Sequence, residues 1–437
     1  MSSPQELLEA LAPLWRLRPP GPRELSSTSA FVRLREICER LYPKVGKKMG
    51  LEFALSYGLT ALGMPCRLQP GNEELALSVE AAAAYLDAAF RKTHANRVHL
   101  CPLDCVDDLP ELTFGPNFIR RLSVTELEEL VDQPRLKRIF SKQSFDVSKF
   151  SEFTWLVARE TVALDEQVGA RAVPILYQHW PEDIGAIDPH RRTYPEAVES
   201  ALAFLMLAPW EEWTETADIQ WRSFRIPWIY TIDDDLFNRP ATPPSTDSLS
   251  WQPDIVYDHY GEEVDLGERP VRWNLTEEVA LELPNSVNEK AWSEFTTAQV
   301  SPLFSSPILH FLLRAYRSSD IDEFLANITV IDSALGLHTD HRTGGATAKL
   351  AARLSALIDR NAGDDYRRLF NTRSEFVHGR VMGPIPGKDR LHARRLARRA
   401  TVALVQAALH VDDRERYLEQ LHASGRMRRM NERSQPD

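Results

Sequence analysis

From the start of the chain to about residue 95, apolar positions recur at helical spacing. Glu6 to Leu17 is amphipathic, and Pro19, Pro20 and Pro22 end it. The Ser26, Ser27, Thr28, Ser29 cluster predicts a capped helix through about Leu41, and Ser78 opens an alanine-rich helix through about Arg91. From Arg97 the texture changes to short β-rich runs broken by Pro and Asp. Val98 to Cys101, Phe153 to Ala163 and Ala172 to Tyr177 predict strands. Two helices interrupt them. Ser123-Val-Thr-Glu126 is a capping-box pattern ahead of Leu127 and Leu130. Pro195 to Leu207 carries Val198, Ala201, Leu202 and Leu205 on one stripe. Residues 219–280 read as strand-like, with Trp221, Phe224, Ile226, Trp228 and Tyr230 largely alternating. Asn238 to Pro253 is proline-rich and reads as a loop.

Past residue 300 the pattern is helical throughout. Helices are expected over Ser306 to Arg317, Ile321 to Leu335, Ala346 to Ile358, Asp364 to His378, Arg390 to His410 and Asp412 to Ala423. The gaps are short, as an antiparallel bundle requires, except for the polar loop His338 to Gly345. The pattern predicts an α+β multidomain chain. It divides into a helical segment 1–95, a mixed β-rich domain 96–300, a helical bundle 301–425 and a basic, disordered tail 426–437. No run of about 18 apolar residues is present, which excludes a spanning helix as the expectation. Arg16 and Arg18 follow the first apolar segment rather than precede it, so no signal peptide is expected and the chain reads as cytoplasmic.

Charge sharpens the division. Residues 301–437 hold 22 Lys+Arg against 16 Asp+Glu, a net of +6, while residues 1–300 hold 30 against 47, a net of −17. Of those 22 cations only Lys349 and Lys388 are lysine. Arginine suits bidentate phosphate contacts, and it equally suits solvated helix faces. The acidic total argues against non-specific coating of nucleic acid but leaves room for a local site.

Several candidate chemistries are weak. Cys38, Cys66, Cys101 and Cys105 are too few for a disulfide framework. Cys101 and Cys105 near His94 and His99 have the wrong spacing for a zinc knuckle and read as packed thiols. Asp233, Asp234 and Asp235 alternate faces if they extend a strand, so a turn is expected rather than a Mg2+ cage. Gly344-Gly345 before Lys349 lacks the Gly-Lys-Ser/Thr end of a phosphate-binding loop.

The segment from Tyr366 to Arg380 differs. Tyr366, Leu369, Phe370 and Val377 form an apolar stripe, and Arg373 falls on it. A core-facing guanidinium must be paired, and Asp332, in the otherwise apolar run Ile328 to Leu335, is the expected partner. His378 lies five residues beyond Arg373, about 140° around a helix. Gly379 is the expected C-cap. From the pattern alone, this is either a structural Arg–Asp staple with a capping histidine or a chemical pair.

The run Arg373-Ser374-Glu375-Phe376-Val377-His378-Gly379 resembles the Arg-Ser-x-x-Val-His-Gly signature of the ApeA-like branch of the HEPN (higher eukaryotes and prokaryotes nucleotide-binding) superfamily. Its four residues between Arg373 and His378 fit the general Arg-x4-6-His pattern. The helix with Asp332 resembles the family's upstream Ala-Leu-Glu-x-Leu helix, with Asp where Glu is usual. Ala346 to Ile358, with Arg353, resembles the next helix, and Leu391 to Leu409 the closing one. The likeness covers roughly residues 305–425. It implies a HEPN bundle that dimerises and a metal-independent endoribonuclease without cofactor. Arg373 and His378 would be catalytic, with Asp332, Asn371, Ser374 and Arg380 supporting. It also implies RNA as substrate, a 2',3'-cyclic phosphate product, and a toxin of anti-phage, abortive-infection defence. Residues 1–300 would then sense a phage-derived trigger. Ser374 stands where many toxic members have Asn, Asp or His. The alternative is a non-catalytic HEPN module that dimerises, binds a nucleotide or regulates a partner.

Overall fold

A computed structural model describes residues 3–19, 21, 24–178, 183, 185, 192–340, 345–379 and 383–433. An N-terminal region of helices and antiparallel strands precedes a helical C-terminal region, an α+β chain. No described helix is long and apolar enough to cross a membrane.

Two compact units divide the chain. The first comprises residues 1–102, 121–189 and 226–270. Its helices Ser3–Trp15, Ser29–Leu41, Lys48–Ala61 and Val79–Arg91 share one core, in which Leu7, Leu11, Leu34, Leu51, Leu55 and Leu86 are wholly buried. Thr28 and Ser78 cap their helices through the backbone N–H groups of Phe31 and Ala81. The helix Lys48–Ala61 escaped the pattern because it is apolar on most faces and so carries little periodic contrast.

Strand His94–Pro102 pairs antiparallel with Thr154–Ala163 on one side and Tyr230–Asp233 on the other. One strand expectation fails and another holds only in part. Ala172 to Tyr177 is instead the end of a helix, Val168–Ala172, and a 3-10 turn, Pro174–Leu176. Pro174 has no N–H to offer a ladder. Of the alternating run Ile219 to Ile232, only its last three residues enter a strand, Tyr230–Asp233, because Pro227 interrupts the run and its aromatics serve as anchors. Trp228 packs on Trp155 and Phe150. Strands Trp251–Tyr257 and Glu263–Pro270 form a separate hairpin.

The second unit comprises residues 103–120, 190–225 and 271–437, so the boundary expected near residue 300 is not where the compact units part. Its helices Ile308–Arg317, Asp320–Leu335, Ala346–Leu357, Arg360–Val377, Gly387–Ala408 and Arg414–Arg433 match the six expected. Ile308–Arg317 packs on Asp320–Leu335, and Ala346–Leu357 packs on both Arg360–Val377 and Arg414–Arg433. The last helix runs on through residues 426–433, where a disordered tail was expected. Gly425 explains why it stays docked. A Cβ there would lie 2.0 Å from the Ala352 carbonyl oxygen, and Arg428 donates to the Ser355 carbonyl at 2.9 Å.

Much of the arginine excess is structural. Arg390, Arg394 and Arg398 recur at i, i+4 and i+8 along Gly387–Ala408, so they share one face. Arg390 donates to the Asp218 carbonyl at 2.6 Å, Arg394 to the Met206 carbonyl, and Arg398 to Glu211 at 2.7 Å. The Arg394 guanidinium, wholly buried, lies 4.4 Å over the Trp221 ring. Burial pulls it down to about 10 despite Glu211. These cations hold the 206–222 segment.

Candidate functional site

Asp359 starts the helix Arg360–Val377, accepting from the Ala362 N–H at 3.1 Å and pairing with Arg399 at 2.6 Å. Ala362, Tyr366 and Leu369 form its buried stripe. Its end is set by Gly379, whose φ of +64° is the left-handed conformation a C-cap glycine adopts. The His378 N–H donates to Ser374 at 3.0 Å and that of Gly379 to Phe376 at 3.1 Å. His378 thus sits exposed at the helix end, and its side chain meets no described hydrogen-bond or ion-pair partner.

Asp332 comes from Asp320–Leu335, and its carboxylate is shared. One oxygen accepts from Arg373 Nη1 at 2.9 Å, the other from the Tyr366 hydroxyl at 2.6 Å. Burial, then the negative charge of Asp332, pushes the Tyr366 phenol far above its ordinary range, so it stays a donor. The Arg373 guanidinium lies 5.7 Å from the Phe370 ring centre, which itself packs on Tyr366. The expected Arg373–Asp332 pair is present, but it is not a core pair. The side chains remain 31% and 26% exposed. Val377, at 58%, is off the buried stripe altogether.

The other candidates are placed as follows. Asn371 is exposed and Ser374 half-buried, and neither side chain bonds to Arg373 or His378. Arg380 lies outside the described residues. Within one chain the structure therefore joins Arg373 to Asp332 and leaves His378 apart, as the separation around the helix requires.

Two partners were missed. Tyr366 lies seven residues before Arg373, on the same stripe, and that spacing was a usable signal. The second is Asp340, which the polar loop concealed. Arg353, 2% exposed, donates to both Asp340 oxygens and also to the carbonyls of Leu335 at 2.8 Å and Leu418 at 3.1 Å. Burial raises the Asp340 carboxyl, but the Arg353 bonds, the Leu337 N–H and Lys349 outweigh it and hold it below the usual range.

Among the described residues no His, Cys, Asp or Glu cluster could hold a metal ion. Asp233 pairs with Arg97 at 2.8 Å, Asp234 with Lys92 at 2.7 Å, and buried Asp235 lies 3.6 Å from Arg171. The three carboxylates thus serve separate partners. All four cysteines are buried. His99 is engaged by Thr231 and Glu160. Comparison of the chain with protein-family models, with curated proteins and with solved structures returns no match.

Proposed function

We infer that the chain is a metal-independent HEPN-type endoribonuclease acting as a toxin of anti-phage defence. The observation that carries this reading is the unequal treatment of the two motif residues. Asp332 engages one nitrogen of a part-exposed Arg373, while His378 stands in solvent five residues on, at a helix end fixed by Gly379. An arginine held this way is oriented yet keeps donors for an anionic phosphate. In the reaction the ribose 2'-oxygen bonds to the adjacent phosphorus, and the bond from phosphorus to the 5'-oxygen breaks. The 2'-hydroxyl proton leaves to a base, and the departing 5'-oxygen takes one from an acid. The products are a 2',3'-cyclic phosphate and a 5'-hydroxyl. Arg373 neutralises charge on the phosphorane, and His378 moves a proton.

One histidine cannot attend both oxygens at once. A second copy of the chain supplies the other, so the site is proposed to form across a two-fold axis through the helix Arg360–Val377. Residues 1–300, net −17, are assigned the role of sensing a phage-derived trigger. The test is incubation of purified protein with RNA in EDTA, followed by end-group analysis. Cyclic phosphate and 5'-hydroxyl ends are expected; 3'-hydroxyl ends, or no cleavage by a dimer, count against the reading. The Tyr366–Asp332 bond favours a second reading, a non-catalytic module in which Arg373 merely braces two helices. That reading predicts dimerisation without cleavage.

A further inference from the structure

We propose that a cleft in the first unit binds a nucleoside monophosphate. The cleft, about 280 Å3, opens between the helices Lys48–Ala61 and Gln133–Ile139 and the segment after Asp235. That volume suits one small ligand. Three arginines line it, Arg67, Arg138 and Arg239, and no carboxylate does. This is unexpected in a region carrying 47 acidic residues against 30 basic ones. Neither Arg67 nor Arg239 has an ion pair with any described residue.

The adjoining cleft shows the ordinary arrangement. It is lined by Asp132 and Asp234, and its cations are occupied: Lys92 by Asp234 at 2.7 Å, Arg91 by Asp87 at 3.0 Å, and Arg135 by the carbonyls of Asp233 and Asp235. In the arginine cleft Arg138 is fixed through Nε to the Leu75 carbonyl at 2.7 Å and through Nη1 to that of Ala61 at 3.1 Å. Burial, only partly offset by Asp132, pulls this guanidinium below its ordinary range, so an anion beside it is favoured. The phosphate therefore goes to Arg67 and Arg138. Arg239 does a different job. Its exposed guanidinium lies 6.0 Å from the Tyr57 ring centre and 5.6 Å from that of Phe140, a flat cation braced on aromatics and suited to stacking on a base. Ser56, Ser141 and Asn238 supply hydroxyls and an amide for a ribose.

The proposal stands independently of the nuclease reading, because it is tested by binding. The full chain is titrated calorimetrically with each of the four common ribonucleoside 5'-monophosphates, with inorganic phosphate and with adenosine. Saturable binding of at least one nucleotide is expected, with inorganic phosphate and adenosine both weaker. Arg67→Glu and Arg239→Glu, exposed positions whose substitution leaves no buried group unpaired, are expected to weaken it about tenfold or more. Arg91→Glu, in the adjoining cleft, is expected to leave it unchanged. Should either reversal lower the melting temperature, Arg67→Gln and Arg239→Gln replace them and should weaken binding in the same direction. The proposal is overturned if none of the four nucleotides binds, if the arginine variants bind as the wild type does, or if inorganic phosphate binds as tightly as the nucleotide.

Discussion

Two arginine–aspartate pairs of the helical unit, Arg353–Asp340 and Arg373–Asp332, differ sharply in structure. Arg353–Asp340 is sealed, with side chains 2% and 3% exposed, and Arg353 spends its donors on two carboxylate oxygens and two carbonyls. Arg373–Asp332 is about a third open, makes one ion-pair bond, and shares its carboxylate with Tyr366. On the proposed function, the difference separates a staple from a cation that acts on a ligand. The staple's guanidinium has all three nitrogens engaged and almost no exposure to solvent. A working one is oriented by one bond and keeps the rest for a ligand.

The largest stability effect should fall on the sealed pair. Arg353→Ala removes the two-nitrogen partner of a buried carboxylate and opens a cavity, and is expected to cost about 3–5 kcal/mol. Urea unfolding followed by circular dichroism measures this. A loss under about 1 kcal/mol would show that the pair is not the staple described.

Asp332→Ala should cost about 1–3 kcal/mol, and chiefly through Tyr366, whose wholly buried hydroxyl loses its acceptor. The double variant Tyr366→Phe/Asp332→Ala is expected to recover most of that loss. If it does not, Arg373 rather than Tyr366 is what Asp332 stabilises. Arg373→Ala should cost under about 1 kcal/mol, because a part-exposed pair is screened by solvent.

The pairs should also separate in acid. The Asp340 carboxyl is held below its ordinary value of 3.8, so the stability its ionised form contributes is complete above that pH and is lost as the pH falls through the lower, folded-state value. Melting temperatures measured downward from about pH 5 should therefore fall below 3.8 in the wild type. Asp340→Asn, already less stable, should show a shallower fall. An equal slope in both would remove Asp340 from the account.

Arg390 illustrates what the sequence could not supply. By sequence it is a plain basic control outside the motif, yet it donates to the Asp218 and Ile219 carbonyls and its loss would disturb the fold. Arg367, in a surface pair with Asp364, is the sounder control. The six C-terminal helices were legible because their apolar positions repeat at one spacing between short polar gaps. The Asp332–Arg373 pair was legible because a charge interrupted each of two apolar stripes. Asp340 was not, since a polar residue in a polar loop carries no contrast. Nor was the division of the chain into units, because residues 103–120 and 190–225 join the helical unit through tertiary contacts that no local pattern records. The alternation around Trp221 and Trp228 misled for a related reason. Large aromatics bury themselves wherever a core is near, with or without a strand.

The proposed two-fold site can be tested apart from the arginine pairs. Mixed dimers of wild-type and His378→Ala protomers should lose cleavage if each site needs the histidine of both chains, and should keep the cleavage of one intact site if each is complete within one chain.

Arg373 and His378 are proposed to perform chemistry, whereas Arg353 holds the fold. That division is tested most directly by measuring RNA cleavage in EDTA and melting temperature side by side for Arg373→Ala, His378→Ala and Arg367→Ala. The account predicts that the first two lose cleavage by about a hundredfold or more at nearly unchanged melting temperature, and that Arg367→Ala keeps both. Wild-type cleavage by a folded His378→Ala protein would contradict it.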